Sequence, residues 1–220
     1  MQPAAIFDMD GLLIDSEPLW KQAEREVFAR VGVTIPPELA EITMGLRTDE
    51  VTEFWYARKP WTGASLAEVE NAVIERVGEL IAAQGEPLPG VMRVLDFFTE
   101  RNYRIAIASN SPDVLIDAVL RKLAIGNYFD ALCSSVHESQ GKPHPGVYVT
   151  AAARLGVAPE RCLVFEDSAP GIRAAKAAQM TAIAVPAPEL AGDPAFALAD
   201  LRLESLLEWR AAHAAALGFY

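Results

Sequence analysis

The chain has 220 residues, 51% of them hydrophobic and 22% charged. This is the composition of a folded globular protein, and it excludes a disordered or collagen-like chain. Lys plus Arg number 19 against 30 Asp plus Glu, for a net charge of −11. An acidic chain without a basic stripe argues against nucleic acid as a partner, while a small anionic substrate needs only a few local cations.

The first apolar run, Ala4-Ala5-Ile6-Phe7, ends at Asp8-Met9-Asp10-Gly11 and reads as a buried strand running into a loop. A helical period follows in Leu19, Trp20, Ala23, Val27 and Phe28, with Ser16 as the expected N-cap and Pro18 in the first turn. Residues 16–85 hold almost nothing with strand character. Val51, Phe54 and Trp55 mark one helix, and Leu66, Val69, Val73, Val77 and Ile81 mark a longer one that starts near Ser65. Pro36-Pro37 and Trp61-Thr62-Gly63 punctuate this stretch. After Pro87-Leu88-Pro89-Gly90 the pattern changes. Strands are expected over 103–108, 129–133, 161–165 and 181–185, with helices between them and a last helix over 203–216. Apolar strands alternating with helices predict an α/β fold, a Rossmann-like parallel sheet covered on both faces. The expected division is an α/β core domain of residues 1–15 and 86–220, with a helical cap domain of residues 16–85 inserted after the first strand. Two linkers then allow hinge motion over a cleft.

Cys133 and Cys162 sit apart in apolar stretches and are expected as buried thiols in a reducing compartment. No apolar run approaches the roughly 18 residues of a membrane span, and the N-terminus lacks a basic n-region. The expectation is a cytoplasmic monomer with no membrane partner.

Active sites of open parallel sheets lie at the carboxyl ends of the strands. Asp8 and Asp10 follow the first strand, Ser109-Asn110-Ser111 the second, Lys142 the third after a few residues, and Glu166-Asp167 the fourth. Taken singly, each reads as a turn former, a cap or a solvated charge. Taken together, four acids at one rim repel one another and call for a cation. All-oxygen donors with room for water and phosphate favour Mg²⁺. The lysine and the small donors suit a phosphoryl group. No GxGxxG, GxxxxGK[ST] or GxSxG frame occurs, and His137, His144 and His213 form no triad pattern.

Asp8-Met9-Asp10-Gly11, Ser109, Lys142 in Lys-Pro-His-Pro, and Glu166-Asp167-Ser168 resemble the four ordered motifs of the haloacid dehalogenase superfamily. The helical insert resembles that of the β-phosphoglucomutase-like branch, so the likeness spans essentially the whole chain. The run from Phe7 to Trp20, Leu46-Arg47-Thr48-Asp49 and Trp55-Tyr56-Ala57-Arg58 are similar to the hexitol phosphatase and 2-deoxyglucose-6-phosphate phosphatase group. The resemblance implies a Mg²⁺-dependent phosphatase of small sugar or sugar-alcohol phosphates working through an aspartyl-phosphate. Asp8 would be the nucleophile and Asp10 the general acid, then base. Mg²⁺ would be held by Asp8, the Asp10 backbone carbonyl and Asp167, with Glu166 as a direct or outer support. Ser109 and Lys142 would hold the phosphoryl oxygens, beside Asn110 in the same cluster. Arg47 stands in the cap where relatives carry a substrate-binding arginine, although its Gly-x-Arg spacing is one shorter than the mutases' Gly-x-x-Arg. Trp20 occupies the place where mutases carry a histidine tied to cap closure. Hydrolysis is therefore expected over the alternative, a sugar-phosphate mutase.

Overall fold

A computed structural model describes residues 2–36, 39 and 41–219. The five expected strands form one parallel sheet, β1 (Ala4–Phe7), β2 (Arg104–Ser109), β3 (Ala131–Ser134), β4 (Cys162–Glu166) and β5 (Thr181–Ala184), joined by a short sixth strand that was not expected, β6 (Leu201–Arg202). Their order is β3-β2-β1-β4-β5-β6. The direction of winding reverses at β1, between β2 and β4. That is the switch point where loops diverge and leave a crevice at the carboxyl ends.

Every residue of β1 is buried, and its side chains alternate between two cores, as a two-residue period requires. Ala5 and Phe7 face a large core with Ile107, Phe98 and Phe165. Ala4 and Ile6 face a second core with Ala106, Ala108 and Val164. The large core receives helices α4 (Val91–Glu100) and α5 (Asp113–Leu123). The alanine-rich face receives α6 (Gly146–Leu155) and α7 (Ala169–Ala177). Beneath the switch point Phe7 stacks on Phe165 at 4.9 Å, and Trp209 packs edge-on against Phe165 at 4.9 Å. Aromatic pairs of this kind add ~0.5–1.5 kcal/mol each beyond burial, so the ends of β1 and β4 are stiffly held.

Among the described residues, the longer helices between β1 and β2 are α1 (Glu17–Arg30), α2 (Thr48–Arg58), α3 (Leu66–Gln84) and then α4. The first three pack on one another through Val27, Phe28, Trp55, Val73 and Val77, and their apolar faces merge with the large core. At the start of α3 the Ser65 Oγ accepts from the Glu68 backbone N–H, and Glu68 accepts in turn from the Ser65 N–H. Such a capping box stabilises a helix by about 0.5–2 kcal/mol. The chain leaves and re-enters the sheet side by side: Ile14 bridges Pro87 antiparallel, and the Asp15 N–H donates to the Glu86 carbonyl at 3.1 Å. The break read at Pro36-Pro37 falls partly outside the described residues, since Pro37 is not among them.

One expectation is corrected. The tail is no continuous helix over 203–216: after β6 it holds a 3₁₀ turn at Leu206–Glu208 and a short helix α8 (Ala211–Ala216). Burial of Trp209 at 3% exposure among the aromatics outweighs the helical period. Ser16 stands at the expected N-cap of α1, where its carbonyl accepts from the Leu19 and Trp20 N–H groups, but its hydroxyl makes no cap bond and is engaged elsewhere. Both cysteines are free and buried. Among the described residues no helix is long and apolar enough to cross a membrane.

Candidate active site

The loops after β1, β2 and β4, with a longer one after β3, meet over the switch point. The Asp8 N–H donates to the Phe165 carbonyl at 3.0 Å, which extends the β1–β4 pairing by one residue and sets the Asp8 side chain at the rim. Lys142 reaches this point from the β3 loop and is 4% exposed. Its Nζ donates to Asp8 Oδ1 at 2.6 Å and to Glu166 Oε1 at 2.5 Å. Glu166 is fully buried, and each of its oxygens accepts from two donors. Oε1 also takes the Tyr148 hydroxyl at 2.6 Å; Oε2 takes the Ser168 N–H and Oγ at 3.1 and 2.8 Å. The lysine is thus aimed at Asp8 from behind by a carboxylate that is itself fully engaged.

Asp8, Glu166 and Asp167 each place a carboxylate oxygen within 4.8 Å of the others. One ammonium stands against three carboxyls, so negative charge is in excess. Burial lifts the Asp8 carboxyl to about 7 even though Lys142 pulls it down, with Glu166 and Asp10 adding repulsion. Burial, then the charges of Asp8 and Glu166, raise Asp167 well above the carboxylate range. Burial alone would disfavour the Lys142 ammonium, but Asp8 and Glu166 overcome this and raise it. A hard divalent cation would relieve the excess, and a donor set of carboxylate oxygens fits Mg²⁺. The backbone makes room for the carboxylates themselves: Gly11 has φ +71°, and a Cβ there would clash with Asp167 Oδ2. A Cβ at Gly171 would likewise clash with Glu166 Oε1.

Asp10 turns away from this cluster. Its Oδ1 accepts from Ser16 Oγ at 2.6 Å and from the Trp20 indole N–H at 2.9 Å. Its Oδ2 accepts from Ser111 Oγ at 2.6 Å. Ser16 and Trp20 lie four residues apart on one face of α1, which carries them to the same carboxylate. Asp8, Asp10, Ser109, Asn110, Lys142 and Asp167 line one cavity, which also meets Trp20. Ser109 is buried and its Oγ accepts from the Ser111 N–H at 3.0 Å. The Asn110 amide bridges inward and outward: Oδ1 accepts from the Lys142 N–H at 2.9 Å, and Nδ2 donates to the Gly45 carbonyl of the helical insert at 2.8 Å.

Arg47 does not join this group. Its guanidinium pairs with Asp49 through two bonds, at 3.0 and 2.6 Å. It also donates to the Ser135 carbonyl at 3.2 Å and the Glu138 carbonyl at 3.4 Å. In this structure Asp49, two residues on, turns the side chain to the seam between insert and sheet domain. Sequence reasoning missed Ser16 and Tyr148 as supports, and placed Ser111 at the rim without foreseeing its bond to Asp10. The Ser16/Trp20 spacing carried a signal for the first. Tyr148 carried none, because it sits on the apolar face of α6.

The comparisons agree with this geometry. A family model described as haloacid dehalogenase-like hydrolase matches residues 3–179. Hexitol phosphatase B of Escherichia coli (strain K12) is 48% identical over 207 residues, covering 93% of each chain. A phosphorylated carbohydrates phosphatase of Thermotoga maritima is 33% identical over 175 residues, covering 80% of this chain and 81% of its own. The crystal structure of CbbY from Rhodobacter sphaeroides in complex with phosphate superposes with a TM-score of 0.87 at 28% identity, covering 94% of this chain and 96% of that one. With the motif acids gathered at the switch point, a family model that spans most of the sequence and a relative 48% identical over 207 residues, the chain belongs to the haloacid dehalogenase-like hydrolases.

Proposed function

We propose that the protein is a Mg²⁺-dependent phosphatase of small sugar or sugar-alcohol phosphates that works through an aspartyl-phosphate. The observation that carries this reading is the pairing of two carboxylates with opposite settings in one cavity. Asp8 is gripped by Lys142 and ringed by acids, whereas Asp10 is held apart from them by hydroxyl and indole donors. An Asp8 oxygen attacks phosphorus, and the bond to the ester oxygen breaks. Asp10 gives its proton to the departing sugar oxygen. The indole N–H of Trp20 can only donate, so Oδ1 stays an acceptor and the transferable proton sits on Oδ2, where the Ser111 hydroxyl turns from donor to acceptor. Asp10 then takes a proton from water, which attacks phosphorus and releases phosphate with Asp8 restored. Lys142, Ser109 and Asn110 hold the phosphoryl oxygens. When bound, Mg²⁺ would be held by Asp8, Asp167 and the Asp10 carbonyl, with Glu166 in support, and would offset phosphoryl charge.

The division into a core of residues 1–15 and 86–220 and a cap of residues 16–85 belongs to the same reading. It is supported by the paired connectors at Ile14–Pro87 and Asp15–Glu86. Hydrolysis is favoured over isomerisation because Trp20 fills the site of the mutase histidine and the 48%-identical relative is named as a phosphatase. A screen of hexose, pentose and polyol phosphates with Mg²⁺, repeated with chelator, tests the proposal. Free phosphate that vanishes with chelator is the expected product; an isomeric sugar phosphate would overturn it.

A further inference from the structure

One face of α1 repeats every four residues through Ser16, Trp20 and Glu24. The first two hold Asp10. Glu24 lies one helical turn, ~5.4 Å, farther along. It lines the same cavity as Asp8 and Asp10 and is 9% exposed. Yet among the described residues its carboxyl takes no hydrogen bond or ion pair, unlike Asp8 and Glu166. A carboxyl this little exposed and without a protein partner gives up most of its hydration, and an apolar residue or an amide would fill the position at less cost. A polar group in that state, facing the cavity that receives the substrate, is one whose partner arrives with the ligand.

We propose that Glu24 is a specificity-determining residue, whose carboxyl hydrogen-bonds a hydroxyl at the polyhydroxylated end of the substrate. This rests on the phosphatase reading above and deepens it. With the ester oxygen at Asp10, one helical turn places Glu24 beside a hydroxyl a few carbons from the phosphate. The charge pattern of this wall narrows the class further. Glu17 lines the cavity beside Glu24, and Lys21 is the cation between them. Two carboxyls against one ammonium leave no spare cation for a second phosphate at the distal end, which favours monophosphates of neutral polyols over bisphosphates. Burial, and next the Glu17 charge, lift the Glu24 carboxyl to about 7. Near neutral pH it therefore exists in both forms, able to accept from a hydroxyl or to donate to one.

The test compares wild type, Glu24→Leu and Glu24→Gln on three probes: a six-carbon polyol monophosphate, the corresponding bisphosphate and p-nitrophenyl phosphate. Thermal melting checks the fold of each variant. In Glu24→Leu the ratio of kcat/KM for the polyol monophosphate to that for the aryl phosphate is expected to fall roughly 10- to 100-fold, the loss of one charge-assisted hydrogen bond. Glu24→Gln, nearly isosteric, should lower the ratio less and raise the relative rate on the bisphosphate. If Glu24→Leu does not fold, Glu24→Gln decides alone. A ratio unchanged within about twofold overturns the inference, as does an equal loss on the aryl and polyol substrates, which marks a structural role. Wild-type turnover of the aryl phosphate but of no polyol phosphate also overturns it, with the phosphatase reading intact. Turnover of none of the three removes that reading and this inference together.

Discussion

Asp10 meets donors on both oxygens, from Ser16, Trp20 and Ser111, and Asp8 meets Lys142. The two carboxylates therefore fail differently when altered. Asp8→Asn should remove turnover by at least about a thousandfold while melting near wild type, since the nucleophile is lost. Retained phosphate release in that variant would refute the assignment. Asp10→Asn should slow alkyl phosphates by about 10²–10⁴-fold and aryl phosphates much less, because good leaving groups need little protonation. Equal losses on both would exclude the acid role. Trp20→Phe keeps the ring and removes the N–H. It should lower kcat about 10-fold, the value of one hydrogen bond to a charged group, with thermal stability little changed.

At the scale of elements, α1 carries a burial that pH can read. Burial, then Glu17, raises the Glu24 carboxyl from about 4.5 to about 7. The folded state thus binds a proton that the unfolded chain has released over that window. The stabilising contribution is full below pH 4.5 and is lost as pH rises through 7. Glu24→Gln should accordingly raise stability at pH 8 relative to wild type by about 1–3 kcal/mol, with little gain at pH 4. Denaturant titrations at both values measure this, and an equal effect at the two would contradict it. The seam between insert and sheet domain rests on Arg47, bound to the Ser135 and Glu138 carbonyls, and on Asn110, bound to Gly45. Arg47→Ala removes two seam bonds without touching the acids, and should raise KM several-fold through weaker closure.

For the molecule as a whole, a cation held by the acids at the switch point would couple its binding to stability. An ion that binds only the folded state at 100 times its Kd adds about 2.7 kcal/mol, and each kcal/mol moves Tm by roughly 2–4 °C in a chain of this size. Saturating Mg²⁺ should raise Tm by several degrees in wild type and far less in Asp167→Asn. Equal shifts in the two proteins would place the ion elsewhere. The net charge of −11 is no obstacle to an anionic substrate, because the charge that matters is local: Lys142 stands buried at the cavity.

Hydrophobic period and loop chemistry, both local properties of the chain, determined the order of strands and helices, the insertion after β1 and the acids at strand ends. They are legible because a buried parallel strand must be apolar throughout and because the motif residues crowd into short loops. Partnership was decided only by tertiary structure. Ser16 has the residue type and place of a helix cap, yet its hydroxyl goes to Asp10. Arg47 belongs to a cap motif, yet it faces carbonyls 88 and 91 residues away. The tail carries a helical period, yet Trp209 is drawn into the aromatic core and breaks it. In each case the residue type permits several hydrogen bonds or packings of similar local energy. The choice among them falls to groups that only folding brings near.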